Sequence, residues 1–513
     1  MSFDEHDADV AEIMAAYRKE QLTAHLIGPV LSTVMHIVGF VLMLVLLVFP
    51  AKKEKSAAEV TQIIEVEADP IPPKMPEEVI DAETAEQVTP VVTTIAQPDT
   101  EAEDSAEDVS DDTAETEDAM PDEAVVVEKM FKSPVAMKML GGRTKAGRAS
   151  ASSQFGGDKV TLNSAMKALL WLQKHQNPNG SWGGKSNRQA GLTGLATLFF
   201  LAHGETPTSK VFGPTVKKSL DWLMAFANNP RQLKSGGFLG YGSALVTYAL
   251  AEASALTNIT PLKEAMEKGV TFCISVQESD GGFRGVNYNK DTSISGWYVQ
   301  ALKAAYLADS KNEKLGPALK KSIGYFKKLA YKSGKSSAKD SFYYDKPGRL
   351  GWGGKDKNTS LRSVGALVLT LLGDGKSAEA RGATDYIVNR SVKELKWGNK
   401  NIAWPMYAWY YQTQVAFMKQ GSAWTRWNKN FKKEITKNQM KDGHWESFGG
   451  GENKNDNHFP VLIDRQVHST ALCGLMLTVY YRYLPYSKKL DFSKKVTKKE
   501  EAADDEDAGF VIE

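Results

Sequence analysis

One unit recurs through the C-terminal two thirds of this chain and constrains its fold more than any other feature. It consists of an amphipathic helix, a turn holding glycine and an aromatic residue, and a nearly uncharged helix rich in small residues. The clearest turns read Gln176-Asn-Pro-Asn-Gly180-Ser-Trp182-Gly183, Gln277-Glu-Ser-Asp-Gly281-Gly-Phe283-Arg-Gly285, Gly351-Trp352-Gly353-Gly354 and Gln439-Met-Lys-Asp-Gly443-His-Trp445. Ser235-Gly-Gly-Phe238-Leu-Gly240 and Lys396-Trp397-Gly398 are weaker copies. Helices such as MKALLWLQKHQ and LKKSIGYFKKLA precede the turns, with lysines and apolar residues at helical period; helices such as GLTGLATLFFLAHG and SISGWYVQALKAAYLA follow them. Two kinds of helix alternating six times suit two concentric rings, the charged helices outside and the uncharged ones inside. Glycine at each turn supplies positive φ, and Gly and Ala on the inner helices allow close approach. The expectation is an all-α chain whose residues 158–490 form an α6/α6 toroid of six helical hairpins.

The Gln…Gly-Ser-Trp turn resembles the QW motif of squalene-hopene cyclases, and the repeat is similar to protein prenyltransferase β-subunits, from about Thr161 to Tyr486. The resemblance implies the toroid; it implies activity only where the family's chemistry is present, because a fold does not fix a function. An active cyclase of that kind would carry an Asp-x-Asp-Asp acid, and a prenyltransferase a zinc site with an Asp-x-Cys pair. The repeats contain neither, nor the Gly-Cys-Gly-Glu-Gln thioester of another toroid family. The acidic clusters Asp111-Asp112 and Asp504-Asp505-Glu506-Asp507 fall outside the repeats. Cys273 and Cys473 lie far apart and are expected as buried, free thiols. No metal, cofactor or nucleic-acid partner is expected.

What remains at the starts of the inner helices is polar: Arg188, Asp291, Asp356, Arg362, Asp464, Arg465 and His468. Asp291-Thr-Ser reads as a helix N-cap. Asp464 and His468 are four apart, so they form either a general-base pair or a capping Asp beside a core His. Trp297, Tyr298, Trp404, Tyr407, Trp409 and Tyr410 either line an apolar cavity or are core. The binding candidates are Arg188, Trp297, Arg362, Trp404, Tyr407 and Arg465, toward an anionic or apolar ligand; the weak catalytic candidates are Asp464, His468 and Asp291.

Ahead of the repeats, residues 26–49 form a run of 24 residues without a formal charge. As a helix it would span about 36 Å, enough for a bilayer core of about 30 Å. Phe-Pro-Ala-Lys-Lys follows, a poor cleavage site, so the segment reads as an uncleaved anchor after a short cytoplasmic stretch, residues 1–25. Ser32 and His36 share a face of this helix, and an ionisable residue within a bilayer points to function. Ser32-Thr-Val-Met-His36, with the Pro-containing arm after it, resembles the anchor of TonB. That resemblance implies engagement of an ExbB/ExbD-like proton-driven complex. No TonB-type C-terminal β domain is legible.

Residues 50–157 read as a disordered linker. Between Ser56 and Met130 there are 23 acidic and two basic residues, −21 in all, against +22 for the rest of the chain. Its end, around Gly141-Gly142-Arg143, Lys145 and Arg148, reads as cationic and flexible, and residues 491–513 as a charged tail. The leading expectation is an inner-membrane, single-pass protein presenting a toroidal binding module to the periplasm or cell exterior. The rivals are an isoprenoid- or glycan-active enzyme with a non-family acid, and a structural envelope protein.

Overall fold

The computed structural model describes residues 142–482, except 238–239, 286–288, 335–336, 351–358, 400 and 453–458. The anchor segment with Ser32 and His36, the acidic run, Asp356 and the tail 491–513 lie outside the described residues. Among the described residues no helix is long and apolar enough to cross a membrane.

The protein is helical, and its helices fall into the two expected kinds. The inner set comprises α3 (Gln189–His203), α6 (Tyr241–Thr257), α8 (Thr292–Leu307), α10 (Thr359–Leu371), α13 (Pro405–Lys419) and α15 (Leu462–Leu477). Each packs on the next in that order, and α15 packs back on α3, so the circuit closes. The outer set comprises α2 (Lys159–Lys174), α4 (Gly213–Asn228), α7 (Thr260–Ser275), α9 (Leu315–Leu329), α11 (Ala378–Tyr386) and α14 (Gly421–Lys437). Each outer helix lies against inner ones, and α14 also touches α2, so the last outer helix meets the first. Small residues set the inner spacing. A Cβ added at Gly194 would come within 2.8 Å of the Leu245 backbone, and one at Gly474 within 2.3 Å of the Phe199 ring.

In the three clear turns that hold a glutamine, that residue clamps one hairpin to the next. Gln176 Nε2 donates to Gly180 O in its own turn and to Thr215 O of α4. Gln277 does the same with Gly281 O and Ala318 O of α9. Gln439 donates to Gly443 O and to Ser164 O of α2, joining the last hairpin to the first. Gly180, Gly281 and Gly443 have φ of 86°, 94° and 105°, and a Cβ there would lie 2.2–2.4 Å from a carbonyl oxygen of the neighbouring outer helix. Only glycine satisfies both demands. Trp182 and Trp445 are fully buried, and their indole N–H groups donate to Leu172 O and Ile435 O.

Three details differ from the sequence expectation. A two-stranded antiparallel pair, β1 (Ala330–Tyr331) with β2 (Ser341–Phe342), interrupts the helices between α9 and α10; Phe342 fills the space above Gly365. The fifth outer helix continues from α11 into a π turn, Ile387–Ser391, and a short α12 (Val392–Glu394). The largest correction concerns the linker, expected to run to residue 157. Its basic end folds as α1 (Lys145–Gln154) against the C-terminal end of the ring. Arg143 Nη1 donates to Leu201 O and to Glu252 Oε2, and Arg148 Nη1 to His203 O. At the far end of α1, Phe155 O accepts from Trp424 Nε1, and Gly156 O from Asn428 Nδ2. The helix therefore ties the first two hairpins to the last. Arginines that composition reads as solvated find buried acceptors at the carbonyl end of α3, where the helix dipole also favours cations. Cys273 and Cys473 are buried and free.

Candidate functional site

Side-chain contacts gather the N-termini of the inner helices at one end of the ring. Tyr241 of α6 meets Ser293 of α8, Tyr407 of α13 reaches Ser293 O, and Asp464 of α15 holds the loop before α3. At the opposite end lie α1, Glu252 and α16 (Val479–Arg482), so the two ends of the ring differ in chemistry.

Both candidate carboxylates at the mouth have structural partners. Asp291 caps α8: Oδ1 accepts from Ile294 N at 2.8 Å and from Ser293 Oγ at 2.5 Å, and Oδ2 accepts from Tyr344 OH at 3.0 Å. With Ser293 donating inward, Tyr241 OH donates to Ser293 Oγ at 2.8 Å. Burial outweighs these donors and raises the Asp291 pKa above the usual carboxylate range. Asp464 does not cap its own helix. Its Oδ1 accepts from Gly184 N at 2.7 Å and its Oδ2 from Ser186 Oγ at 3.0 Å, fastening the first turn's loop to the last inner helix. His468 lies one helical turn on, and among the described residues no hydrogen bond joins it to Asp464. The general-base pair is not formed. Nor is His468 a satisfied core histidine. Its Nδ1 is buried without a hydrogen-bond partner, and its ring tilts onto Phe459 with centroids 4.7 Å apart.

The remaining candidates divide. Arg188 is half-buried with its guanidinium over the Phe459 ring, 5.7 Å from the centroid, and Arg465 Nη1 donates to Phe459 O at 2.8 Å. Phe459 thus has one cationic group over its ring and another on its backbone carbonyl, between α3 and α15. Beside them, Val461 and Leu462 are 39% and 52% exposed. Tyr407 and Trp404 are partly exposed. Trp404 has φ 54° and its indole fills the space above Gly451, where a Cβ would lie 2.4 Å away. Trp297 is core, stacked on Tyr410 at 5.3 Å. Arg362 turns away from the mouth: its Nε donates to Asp340 O, and its guanidinium lies 3.5 Å from the Tyr386 centroid. A charged residue in the first turn of an inner helix looks the same in sequence whether it faces the mouth or the outer ring.

Several mouth residues carry no sequence signal. Glu452 is buried and accepts from Met406 N, Tyr407 N and Ser447 Oγ, capping α13, which has no side-chain cap of its own. Nothing in a glycine-rich loop some 46 residues away announces that role. Phe459, Tyr241 and Tyr344 were equally illegible. By contrast the N-cap residues of α3, α6 and α15 make no side-chain cap hydrogen bond, and Gln189 N and Gly242 N donate instead to the backbone carbonyls of Ser186 and Gly236. Among the described residues no cluster of His, Cys, Asp and Glu could hold a metal ion.

Two buried histidines give the domain a pH dependence. Burial pushes His468 down to about 4; burial and then Arg148 push His203 down to about 4, against the pull of Glu205. Their unfolded value is about 6.5, so between pH 6.5 and 4 the unfolded chain binds more protons. Stability is complete above 6.5 and falls as pH drops toward 4, by up to about 3 kcal/mol per histidine. Urea unfolding across that range should show the slope, and His468→Gln should remove part of it. An unchanged slope in that variant would exclude His468 as a contributor.

No protein-family model and no curated protein matches the chain. Among solved structures it is similar to a type II terpene cyclase from Scytonema. One structure, with geranylgeranyl dihydroxybenzoate, shows 11% identity, covering 63% of this chain and 98% of that one at a TM-score of 0.41. A second variant with the same substrate shows 12% identity, 63% and 97% coverage and a TM-score of 0.41. A third, with merosterolic acid A, shows 12% identity, 62% and 96% coverage and a TM-score of 0.39.

Proposed function

We propose that this chain is a membrane-anchored binding module whose ring mouth receives an amphiphilic anion, or the amphiphilic anionic part of a larger partner. The anchor at residues 26–49 would place the ring on the outer side of the inner membrane. Ser32 and His36 would face an ExbB/ExbD-like proton-driven complex; both statements rest on sequence. The observation that carries the binding reading is the rim between α3 and α15. There Arg188 lies over Phe459 and Arg465 donates to its carbonyl, beside exposed Val461 and Leu462, at the end where the inner-helix N-termini converge. Guanidinium groups and helix N-termini favour negative charge, and the apolar rim favours a hydrocarbon or aryl body.

The test is titration of the folded full-length chain with 1-anilinonaphthalene-8-sulfonate, an aromatic anion, followed by displacement with dodecyl phosphate. Arg188→Gln and Arg465→Gln should each weaken binding about tenfold, the loss of a charge-assisted contact, with unchanged thermal unfolding. Equal affinity in both variants would sink the mouth assignment. Loss of co-purification with a membrane complex in His36→Ala would support motor coupling, and full assembly would contradict it.

One observation favours the enzyme reading, the raised pKa of buried Asp291 and its hydroxyl chain to Tyr241. Three donors hold that carboxyl in place as a helix cap, and we expect no cyclisation of squalene and no prenyl transfer to a Cys peptide by the full chain. Turnover above a boiled control, lost in Asp291→Asn, would reverse this.

A further inference from the structure

Among the described residues His175, His203 and His444 each have an oxygen within hydrogen-bond distance of Nδ1: Trp171 O at 2.8 Å, Glu205 Oε1 at 2.8 Å and Asp442 Oδ1 at 2.6 Å. His468 differs. Neither of its ring nitrogens makes a hydrogen bond among the described residues, and Nδ1 is enclosed. An enclosed polar atom without a partner is destabilising, so its presence calls for a role outside packing. Its position on α15 shows where it points. Gln466 and Thr470 face the last turn: Gln466 Nε2 lies 3.2 Å from His444 Nε2, and Thr470 Oγ1 accepts from Trp445 N. His468 is two residues from each, about 200° round the helix, and so turns toward the interior of the ring. The residue keeps 9% exposure, and its ring centroid lies 4.7 Å from that of Phe459. Burial pushes its pKa down to about 4, so the imidazole is neutral at pH 7.

We infer that His468 is the specificity-determining contact of the mouth, and that the ligand it selects is an amphiphilic anion with a hydroxyl group close to its charge. The inference rests on the reading of the mouth as a site for an amphiphilic anion. A neutral imidazole offers one N–H and one lone pair, and a hydroxyl can answer either, accepting from the one or donating to the other. Without a charge of its own, His468 has nothing to pair with a second anion, so the selection falls on a neutral polar group. Phe459 sets how far that group stands from the charge. Arg188 lies 5.7 Å from its ring centroid, Arg465 holds its carbonyl, and His468 lies against the same ring. The imidazole is therefore one phenyl ring away from the cations of the rim. A site that holds an unpaired polar group discriminates against a ligand without the complement to it.

Two probes that differ in one group test this: dodecyl phosphate and 2-hydroxydodecyl phosphate, each titrated into the full-length chain by calorimetry at pH 7. The wild-type chain should bind the hydroxylated compound about tenfold more tightly, the worth of one hydrogen bond to an otherwise unpaired group. In His468→Leu the two compounds should bind alike. His468→Gln keeps a donor and an acceptor and should hold part of the preference. Arg188→Gln should weaken both compounds and leave their ratio unchanged. Equal binding of the two compounds by the wild-type chain would overturn the role of His468 and leave the mouth reading in place, as would a preference that survives in His468→Leu. Binding of neither compound would overturn both.

Discussion

Glu252→Ala should destabilise the ring by about 3–5 kcal/mol, the cost of removing one partner from a buried ion cluster. The carboxylate is 4% exposed and lies between Arg143 and Arg482, themselves 2% and 4% exposed. Burial alone would push its pKa up, but Arg482 and then Arg143 outweigh that and hold it below the usual range. Its contribution is therefore present above its unfolded value near 4.5 and is lost as pH falls further. Exchanging Arg143, Glu252 and Arg482 together for methionine should recover part of the loss, because an apolar cluster leaves no isolated charge. Urea midpoints measure both. A single variant with wild-type stability would show that the cluster does not tie α1 and α16 to the ring.

Trp445→Ala should cost a similar amount, about 3–5 kcal/mol for an emptied aromatic site. Trp445 is fully buried, with its indole N–H on Ile435 O and its backbone N–H on Thr470 Oγ1. The turn that holds it also joins the last hairpin to the first through Gln439. Ring closure then makes a specific demand: Gln439→Ala should destabilise as much as Gln277→Ala, which acts within the chain's interior. A much smaller effect at Gln439 would indicate an open arc whose ends fray.

Much of this was legible in the sequence, for identifiable reasons. Turn glutamines, glycines and tryptophans recur because each hairpin solves the same problem, a tight corner whose carbonyls need a donor from the neighbour. Charged and uncharged helices alternate because one set faces solvent and the other is enclosed. Asp291 was readable as a cap because its bond to Ile294 N is local. Partners distant in sequence were not readable. Asp464 serves a loop some 280 residues earlier, Glu452 caps a helix it precedes nowhere in the chain, and Arg143 finds Glu252 across 109 residues. Composition placed Arg143 and Arg148 in a flexible spacer, since nothing in Gly-Gly-Arg-Thr-Lys-Ala-Gly-Arg distinguishes solvated cations from ones aimed at buried carbonyls.

Under the proposed function the two ends of the ring do different work: α1 and the Glu252 cluster pack at one, and the other would receive a ligand. Anomalous diffraction from crystals of the chain soaked with bromine-tagged dodecyl phosphate tests this most directly. The bromine and phosphate should locate at the N-terminal mouth, with the phosphate between Arg188 and Arg465 and the chain running past Val461 and Leu462. Density at the α1 end, or on the outer ring with an empty mouth, would contradict it.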